Sequence, residues 1–314
     1  MAERPPPIDR HTHLEGSLDP VWVRAEAGRQ LLQLPHSLES LWRGEAVAFE
    51  HFIEAFLFGA NLLTGREAVH RAVAAAVRRL PETDQQARGI DLWVSPHFLV
   101  VHRQLLSLDT LWRGIEDGIQ DAAKEGVMIA VVVDAVNHFG PLHGHSTLNL
   151  ILPERPSWLV GFSTGGLEGP FREWAPVFDR ARAAGLRIAA HAGENGPAAH
   201  VREAVLDGGV ARIVHGVRAA SDPSILELLA ERRIPVDICL TSNRHLVAEL
   251  QPHPLPAMLR AGVRCALGTD DPGVMPCNLA SEWEAAGKLG LSEPELELLA
   301  RHSAEDAWCL QPEA

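Results

Sequence analysis

Short apolar runs alternate with longer amphipathic segments along most of this chain. Most of the apolar runs lack the strict alternation of a strand with one wet face, which is typical of strands buried on both faces of a parallel sheet. Between them lie segments rich in Ala, Leu, Arg and Glu with helical spacing, among them 170–184, 198–207 and 223–232. The eight predicted strands cover residues 8–13, 90–95, 127–134, 158–163, 186–191, 211–215, 235–239 and 263–269.

Eight strands that alternate with helices predict an α/β fold of the TIM (β/α)8 barrel type, because parallel neighbours need a crossover connection. A doubly wound open sheet is the alternative, but it would need fewer strands and a glycine-rich phosphate turn near its start. The sequence shows no repeat, low-complexity tract or linker that would divide it. We therefore expect one barrel domain over residues 1–314.

The first and second predicted strands are separated by far more chain than one barrel helix needs. Extra helices are therefore expected after strand 1, over about 17–85. One of them has an apolar face that either packs on the barrel or forms a lid lining a pocket mouth. Both can hold, because an insertion after a strand lies at the catalytic end. The residues of this face are Phe49, Phe52, Ile53, Phe56 and Leu57.

The charge and the cysteine pattern narrow the possible partners and the compartment. A formal net charge of −13 argues against a nucleic-acid partner, because a phosphate backbone is bound by clustered Lys and Arg. No segment has the pattern of a signal peptide or the length of a membrane span, so we expect no membrane partner. The four cysteines are widely spaced without a C-x-x-C pair, which predicts free thiols in the reducing cytoplasm. Nothing here indicates an oligomeric state.

Four of the predicted strands end in residues that can bind a metal or transfer a proton. His11 and His13 lie two apart on the first strand, so their side chains share one face. His191 ends the fifth strand, His215 the sixth, and Asp270 follows the eighth. An H-x-H pair alone is a weak signal. Because the carboxyl ends of barrel strands meet at one face, the four strand ends together predict a site.

Three imidazoles and one carboxylate suit Zn²⁺ or a similar divalent ion. We assign His11, His13, His191 and Asp270 as the ligands of one zinc ion per chain. A catalytic zinc leaves one position for water and lowers the pKa of that water to about 7.

Proton-transfer groups flank these ligands. Glu194 follows a ligand by three residues, past the strand end, and can point into the pocket as a proton donor. His215 can accept a proton from the attacking water. Asp271 can accept a hydrogen bond from the substrate, although an aspartate before Pro272 is also a plausible loop cap.

Two other zinc chemistries fit less well. Deaminases of the cytidine type carry H-x-E with P-C-x-x-C, whereas Pro276-Cys277 has no second cysteine at that spacing. Barrel hydrolases with two metals often bridge them through a modified lysine on the fourth strand. The two lysines, Lys124 and Lys288, both lie away from that strand, so one metal ion is expected.

The motifs resemble those of the adenosine and adenine deaminases of the amidohydrolase superfamily, from residue 11 to about 283. The resemblance implies a metal-dependent aminohydrolase that attacks C6 of an aminopurine, releases ammonia and leaves a 6-oxopurine. The matching segments are HTHLEGSL, VGFSTGGLEG, HAGENG, RIVHGVR, CLTSN, HPLP and GTDDP.

The resemblance also implies residue roles, and the four ligands assigned above agree with it. Glu194 is similar to the acid that protonates N1 of the purine, and His215 to the group that orients and deprotonates the water. Asp271 is similar to the aspartate that aligns this water and bonds N7. Gly166 matches the glycine whose N–H meets N3. The expected substrate contacts are thus His13, Glu15, Gly166 and Asp271.

The motifs are mixed with respect to the substrate. Glu15 lies where adenosine deaminases usually carry Asp and adenine deaminases usually carry Glu. Residues 164–168, T-G-G-L-E, instead resemble A-G-D-E of the nucleoside enzymes more than D-S-S-E of the free-base enzymes. Gly166 leaves space near the sugar edge, so we favour adenosine or a 5′-modified adenosine such as aminodeoxyfutalosine. Adenine or an N6-substituted adenine is the alternative. Ser163 departs from the aspartate common at its position.

A 5′ group would need partners of its own, for which Arg10, Arg172 and Trp174 are candidates, although an exposed arginine is more often part of a solvated face. Two other functions are less well supported on the same barrel. One is zinc-dependent hydrolysis of a cyclic amide or ester, against which the missing bridging lysine argues. The other is a catalytically silent nucleoside-binding barrel, which would be expected to lack a ligand or the acid.

Overall fold

The computed structural model describes residues 7–82, 88–247 and 249–311. It contains one sheet of eight parallel strands whose spatial order is their sequence order. Each predicted strand is present, with ends that shift by at most two residues. The strands are β1 Ile8–His13, β2 Arg88–Val94, β3 Val127–Val136, β4 Leu159–Gly165, β5 Arg187–Ala192, β6 Arg212–His215, β7 Pro235–Ile238 and β8 Arg264–Leu267.

The sheet closes where the chain beyond β8 meets β1. The amide of His13 donates to the carbonyl of Asp270 at 2.8 Å, and the amide of Asp270 donates to the carbonyl of His11 at 2.8 Å. Thr12 and Asp270 form a parallel bridge between these segments. The predicted TIM barrel is confirmed, and the bonds that close it directly join two segments of the expected metal site.

Helices fill the connections between strands, as the alternation predicted. Four of them, α1 to α4, lie between β1 and β2, and residues 83–85 of the predicted insertion lie outside the described residues. The helices are α1 Pro20–Arg29, α2 His36–Trp42, α3 Phe49–Ala60, α4 Arg66–Val77, α5 Leu108–Lys124, α6 Pro141–Ile151, α7 Ala175–Ala183, α8 Ala198–Leu206, α9 Pro223–Glu231, α10 Leu240–Leu246, α11 Leu255–Arg260, α12 Leu279–Lys288 and α13 Glu293–Glu305.

Three further findings bear on the earlier expectations. The segment 170–184 is a 3₁₀ turn, Phe171–Trp174, followed by α7, because Pro176 lacks an N–H and favours the start of a new helix. All four cysteines are free, as expected. Within the described ranges, every helix is either too short or too polar to cross a membrane.

The barrel interior has a charged layer at its amino-terminal end. Arg10, Asp91, Arg212 and Asp237 are fully buried there. A bulge in β1, between Asp9 and Thr12 in the pairing with β2, allows both Arg10 and His11 to face the interior. Nη2 of Arg10 forms an ion pair with Oδ1 of Asp237 at 3.0 Å, and Nη1 of Arg212 donates to Oδ2 of Asp91 at 2.7 Å. Two cations facing two anions make this layer neutral, which burial requires.

Candidate functional site

Four side chains from three strand ends converge on one point at the carboxyl end of the barrel. The Nε2 atoms of His11 and His13 are 3.1 Å apart, and Nε2 of His191 lies 3.3 Å from each of them. Oδ1 of Asp270 is 3.3 Å from Nε2 of His11 and 3.5 Å from Nε2 of His13. The structure therefore brings together all four residues that the sequence predicted as ligands.

These spacings fit a tetrahedral cation. Donors at about 2.0–2.1 Å from a zinc ion stand about 3.3 Å apart at tetrahedral angles. The Nδ1–H of His191 donates to the carbonyl of Thr164 at 2.8 Å, which leaves a lone pair on its Nε2. Burial lowers the pKa of His11 and His13 to about 3, so both imidazoles are neutral at physiological pH. Lone pairs that face one another in this way repel unless a cation lies between them.

The segments that carry these ligands are held by hydrogen bonds to a buried carboxylate, and they include strained backbone conformations. The carboxylate of Asp9 accepts hydrogen bonds from the amide of His11 at 3.3 Å and from the amide and hydroxyl of Thr269 at 3.1 and 2.6 Å. His215 and Asp270 both have a φ of 62°, a left-handed conformation that side chains with a Cβ rarely adopt. Such strain persists where the surroundings enforce it, and it is concentrated at functional sites.

Glu194 lies beside this cluster in surroundings that favour its neutral form. Its Oε1 is 3.6 Å from Nε2 of His215 and has no hydrogen-bond partner in the described part of the chain. Burial raises the pKa of Glu194 to about 7, against the opposing effect of His215. A carboxyl group with this pKa can hold and deliver a proton near neutral pH.

Asp270 shows the opposite behaviour, although it is equally buried. Burial alone would raise its pKa, but the close contact with His11 and the nearby His215 outweigh burial and hold the pKa of Asp270 well below its usual range. The carboxylate is therefore ionised, as a metal ligand must be. Burial next to Asp270 instead raises the pKa of Asp271 well above its usual range.

Asp271 lies behind Gly16, which explains why a glycine stands there. A Cβ on Gly16 would come within 1.9 Å of Oδ1 of Asp271. That oxygen has no hydrogen-bond partner within the described ranges, and Asp271 lines the cavity. An acceptor left unpaired in a cavity wall is available for a substrate or a water molecule.

One cavity of about 280 Å³ opens onto this cluster. Its inner end is polar, with His13, Glu194 and Asp271 among the lining residues. Its outer wall is apolar and is built largely by α3, as the sequence predicted for a face at the pocket mouth; movement of this helix as a lid stays a prediction. The outer lining comprises Phe49, Phe52, Ile53, Phe56, Leu57, Phe98, His102, Arg103, His138, Phe139 and Leu246.

The remaining predicted substrate residues are placed differently from one another. Gly166 lines the cavity with a φ of 85°, and the imidazole of His138 packs against it. Glu15 lies behind the cavity wall and is 1% exposed. Its Oε1 accepts a hydrogen bond from the amide of Ser95 at 2.7 Å, and Ser95 itself lines the cavity. Glu15 thus supports the wall without forming part of it.

The three residues suggested for a 5′ group lie elsewhere, so that prediction was wrong. Arg10 is in the buried charged layer, because the β1 bulge turns it toward the opposite end of the barrel from the site. Trp174 is 2% exposed in the core, and Arg172 lies on the surface 3.6 Å from Asp207. The basic side chains at the cavity rim are instead His102, Arg103 and His138.

Glu168 positions the acid, a role that the sequence did not reveal. Its carboxylate accepts hydrogen bonds from the amides of Gly193, Glu194 and Asn195 at 2.8, 2.7 and 3.0 Å. Burial opposes its ionisation, but these bonds and the one from His200 outweigh burial and lower the pKa of Glu168. The sequence signal that could have identified Glu168 is its position in the T-G-G-L-E segment, which resembles a family motif.

The sequence also did not reveal a chain of hydrogen bonds that leads to Nδ1 of His215. The amide of Leu255 donates to Nδ1 of His253 at 3.1 Å, so neutral His253 carries its proton on Nε2. That proton is donated to Oδ1 of Asn243 at 3.2 Å. The amide nitrogen of Asn243 therefore faces Nδ1 of His215, at 3.4 Å. Because Nδ1 of His215 faces a donor, the imidazole carries a proton on Nε2, toward the cavity.

Comparison with known proteins agrees with this geometry. The family model described as adenosine deaminase matches residues 6–314. The chain belongs to the adenosine deaminase family. It is 33% identical to an adenine deaminase of Cupriavidus pinatubonensis over 97% of this chain and 88% of that protein. It is also 33% identical to an aminodeoxyfutalosine deaminase of Streptomyces coelicolor over 98% of this chain and 81% of that protein.

Solved structures lead to the same family. The crystal structure of an adenine deaminase from Arthrobacter aurescens matches with a TM-score of 0.85 and 26% identity, over 97% of this chain and 94% of that chain. As a member of the adenosine deaminase family, the protein is a hydrolase that acts on C–N bonds. The two relatives named for different substrates are equally similar to it, so identity alone does not choose between those substrates.

Proposed function

We propose that this protein hydrolytically removes the amino group at C6 of an aminopurine nucleoside with one zinc ion per chain. The observation that carries this proposal is the convergence of four potential metal-ligand atoms beside Glu194, whose pKa is raised to about 7. When bound by His11, His13, His191 and Asp270, zinc would polarise the attacking water. The acid and the ligands belong to one cavity, so proton transfer and nucleophilic attack can act on the same ring.

The chain's own residues supply the proton transfers. Glu194 donates its proton to N1 of the purine, which makes C6 electrophilic. His215 donates from Nε2 to the oxygen of the attacking water and orients it. Asp271, which the charge of the bound zinc would hold in its ionised form and whose raised pKa makes it a strong base, accepts the proton that the water loses. We therefore assign Asp271, rather than His215, as the proton acceptor. This assignment follows from the hydrogen-bond chain behind His215 and from the unpaired Oδ1 of Asp271.

The reaction then completes with its protons balanced. The C6–N bond breaks as Asp271 returns its proton to the departing amine, which leaves as ammonia. The new hydroxyl group at C6 loses its proton to Glu194, which restores the acid. The product is a 6-oxopurine that keeps the proton on N1.

The shape of the cavity favours a nucleoside with a 5′ extension. In this proposal the base lies at the polar end and the sugar beside Gly166. The aromatic wall from α3 then contacts a group at the 5′ position. Arg103, which makes no ion pair within the described ranges and donates to the neutral Oδ1 of Asn61 at 2.7 and 3.0 Å, is available at the rim for an anionic end of such a group.

A substrate comparison tests this choice. We expect zinc-loaded protein to turn over aminodeoxyfutalosine with a kcat/KM at least about 10-fold above those for adenosine and adenine, since about 1.4 kcal/mol of extra binding gives this ratio. Removal of the metal with a chelator should abolish turnover, and zinc should restore it. Preference for adenine would overturn the nucleoside assignment, whereas inactivity toward all three by protein shown to hold zinc would contradict the deaminase assignment itself.

A further inference from the structure

Asp134 is a buried carboxylate at the polar end of the cavity that has no role in the reaction described above. It lies on β3, and its side chain is 2% exposed. The hydroxyl group of Ser163 lies near enough to favour the ionised form of Asp134, but neither of its carboxylate oxygen atoms has a hydrogen bond of good geometry among the described residues. A buried ionisable group without a partner costs free energy, so its retention at this place calls for a physical reason.

The position of Asp134 relative to the metal ligands supplies one. Its Oδ2 lies 3.6 Å from Nδ1 of His13, and its Oδ1 lies 3.9 Å from Nδ1 of His191. Both are the nitrogens that point away from the converging Nε2 atoms. The carboxylate thus faces the backs of two imidazoles at once. A carboxylate in this position fixes the orientation of a metal-binding imidazole and raises its basicity.

The neighbouring strand shows how this arrangement is built. Asp134 pairs with Ser163 across the β3–β4 ladder, and both side chains are buried at the same level of the barrel. Ser163 stands where the adenosine deaminase pattern has an aspartate. Adjacent strands are about 4.8 Å apart, so a carboxylate on either strand can lie near the same imidazoles.

We propose that Asp134 is a positioning residue of the metal site. It holds His13 in the orientation that binds the metal, while the carbonyl of Thr164 fixes the orientation of His191. It does so from β3, in place of the carboxylate that the family pattern has on β4. This inference rests on the metal site of the proposed function.

Zinc affinity tests the inference independently of activity. Apo protein would compete with a chromophoric chelator for zinc, and the absorption of the cobalt form would report ligand geometry. D134A should bind zinc about 10–100-fold more weakly, the usual effect of removing such a carboxylate. Moving the carboxylate to the neighbouring strand, in D134A/S163D, should recover most of the affinity. S163A is the matched control and should bind zinc like the wild type.

Kinetic measurements at saturating zinc separate a positioning role from substrate binding. We expect D134A to lower kcat while KM stays within about 2-fold, since the residue acts through the ligands. Wild-type zinc affinity with a raised KM would overturn the inference and make Asp134 a substrate contact, and so would a double variant no tighter than D134A. If D134A does not fold, D134N, which keeps the shape, takes its place. A wild-type protein that binds no zinc would instead contradict the proposed function.

Discussion

Glu194 and Asp270 are two buried carboxyl groups of one cavity with opposite pKa shifts. The pKa of Glu194 rises to about 7 because burial outweighs the attraction of His215. The pKa of Asp270 falls because its close contact with His11 and its proximity to His215 outweigh burial. Surroundings that separate pKa values in this way assign the acid and the anion. At the residue scale, this difference in pKa makes one carboxyl group, Glu194, a proton donor and the other, Asp270, a metal ligand.

The activity should therefore fall as pH rises through about 7. Glu194 must be protonated to donate to N1, and a raised pKa means that the protonated form persists up to that pH and is lost above it. A profile of kcat/KM against pH on the free enzyme measures this limb. A carboxyl with an ordinary pKa would place the fall near pH 4.5, and a profile that stayed flat up to pH 9 would remove Glu194 as the acid.

Glu168 affects the reaction indirectly, because it holds the loop that carries Glu194. E168A removes the acceptor of three amide hydrogen bonds that hold the loop carrying Glu194. We expect kcat/KM to fall about 10²-fold, because small displacements of a catalytic group have effects of this size, with zinc affinity unchanged. E203A is the control, since Glu203 accepts one amide bond from Phe171 at 3.2 Å outside the site. Equal losses in both variants would show that the effect of E168A is merely structural.

At the scale of secondary structure, the strands and the metal ligands could be predicted from sequence because both are local signals. Each ligand follows or ends an apolar run, and a barrel brings such ends together. Asp134 gave no local signal. Glu168 and His253 stood in the matching segments T-G-G-L-E and HPLP, but their roles depend on contacts between residues distant in the chain. The misplacement of Arg10 has the same origin: the bulge that turns it inward depends on how β1 pairs with β2.

Helix α3 offers a comparison of two aromatic residues on one face. Phe52 is 7% exposed, whereas Phe56 is less buried, and both line the cavity. F52A should lower the free energy of unfolding by about 3–5 kcal/mol, as for a core phenylalanine, while F56A should raise KM for a 5′-extended nucleoside more than for adenosine. Denaturant unfolding and steady-state kinetics on both variants measure this. An unchanged KM in F56A would show that α3 packs against the barrel without contacting the substrate.

At the scale of the whole molecule, the two ends of the barrel have separate tasks. The carboxyl end carries the site, and the amino end is closed by the last described turn of the chain. Asp91 accepts the amides of Trp308 and Cys309 at 3.0 and 2.7 Å and pairs with Arg212. The guanidinium of Arg212 lies 4.0 Å from the ring of Trp308. The buried charges thus connect the C-terminal segment to the barrel.

Removing one of these charges should destabilise the fold and leave the site intact. We expect D91N to lower the free energy of unfolding by about 3–5 kcal/mol, because the two buried arginines would then share one anion. Zinc affinity should stay unchanged. D109N is the control, since the exposed pair of Asp109 with Arg113 should contribute less than about 1 kcal/mol. Equal stability of D91N and D109N in urea would contradict this account of the barrel end.

The measurement that tests the central claim most directly is deamination in water enriched in ¹⁸O. Zinc-loaded protein would be given aminodeoxyfutalosine, adenosine or adenine, with ammonia and the mass of the purine product followed together. We expect ammonia and a 6-oxopurine carrying one ¹⁸O in equal amounts, and a loss of about 10²–10⁴-fold in rate with E194Q. E194Q should keep its zinc. Wild-type turnover by E194Q, or a zinc-loaded wild type that releases no ammonia, would contradict the account.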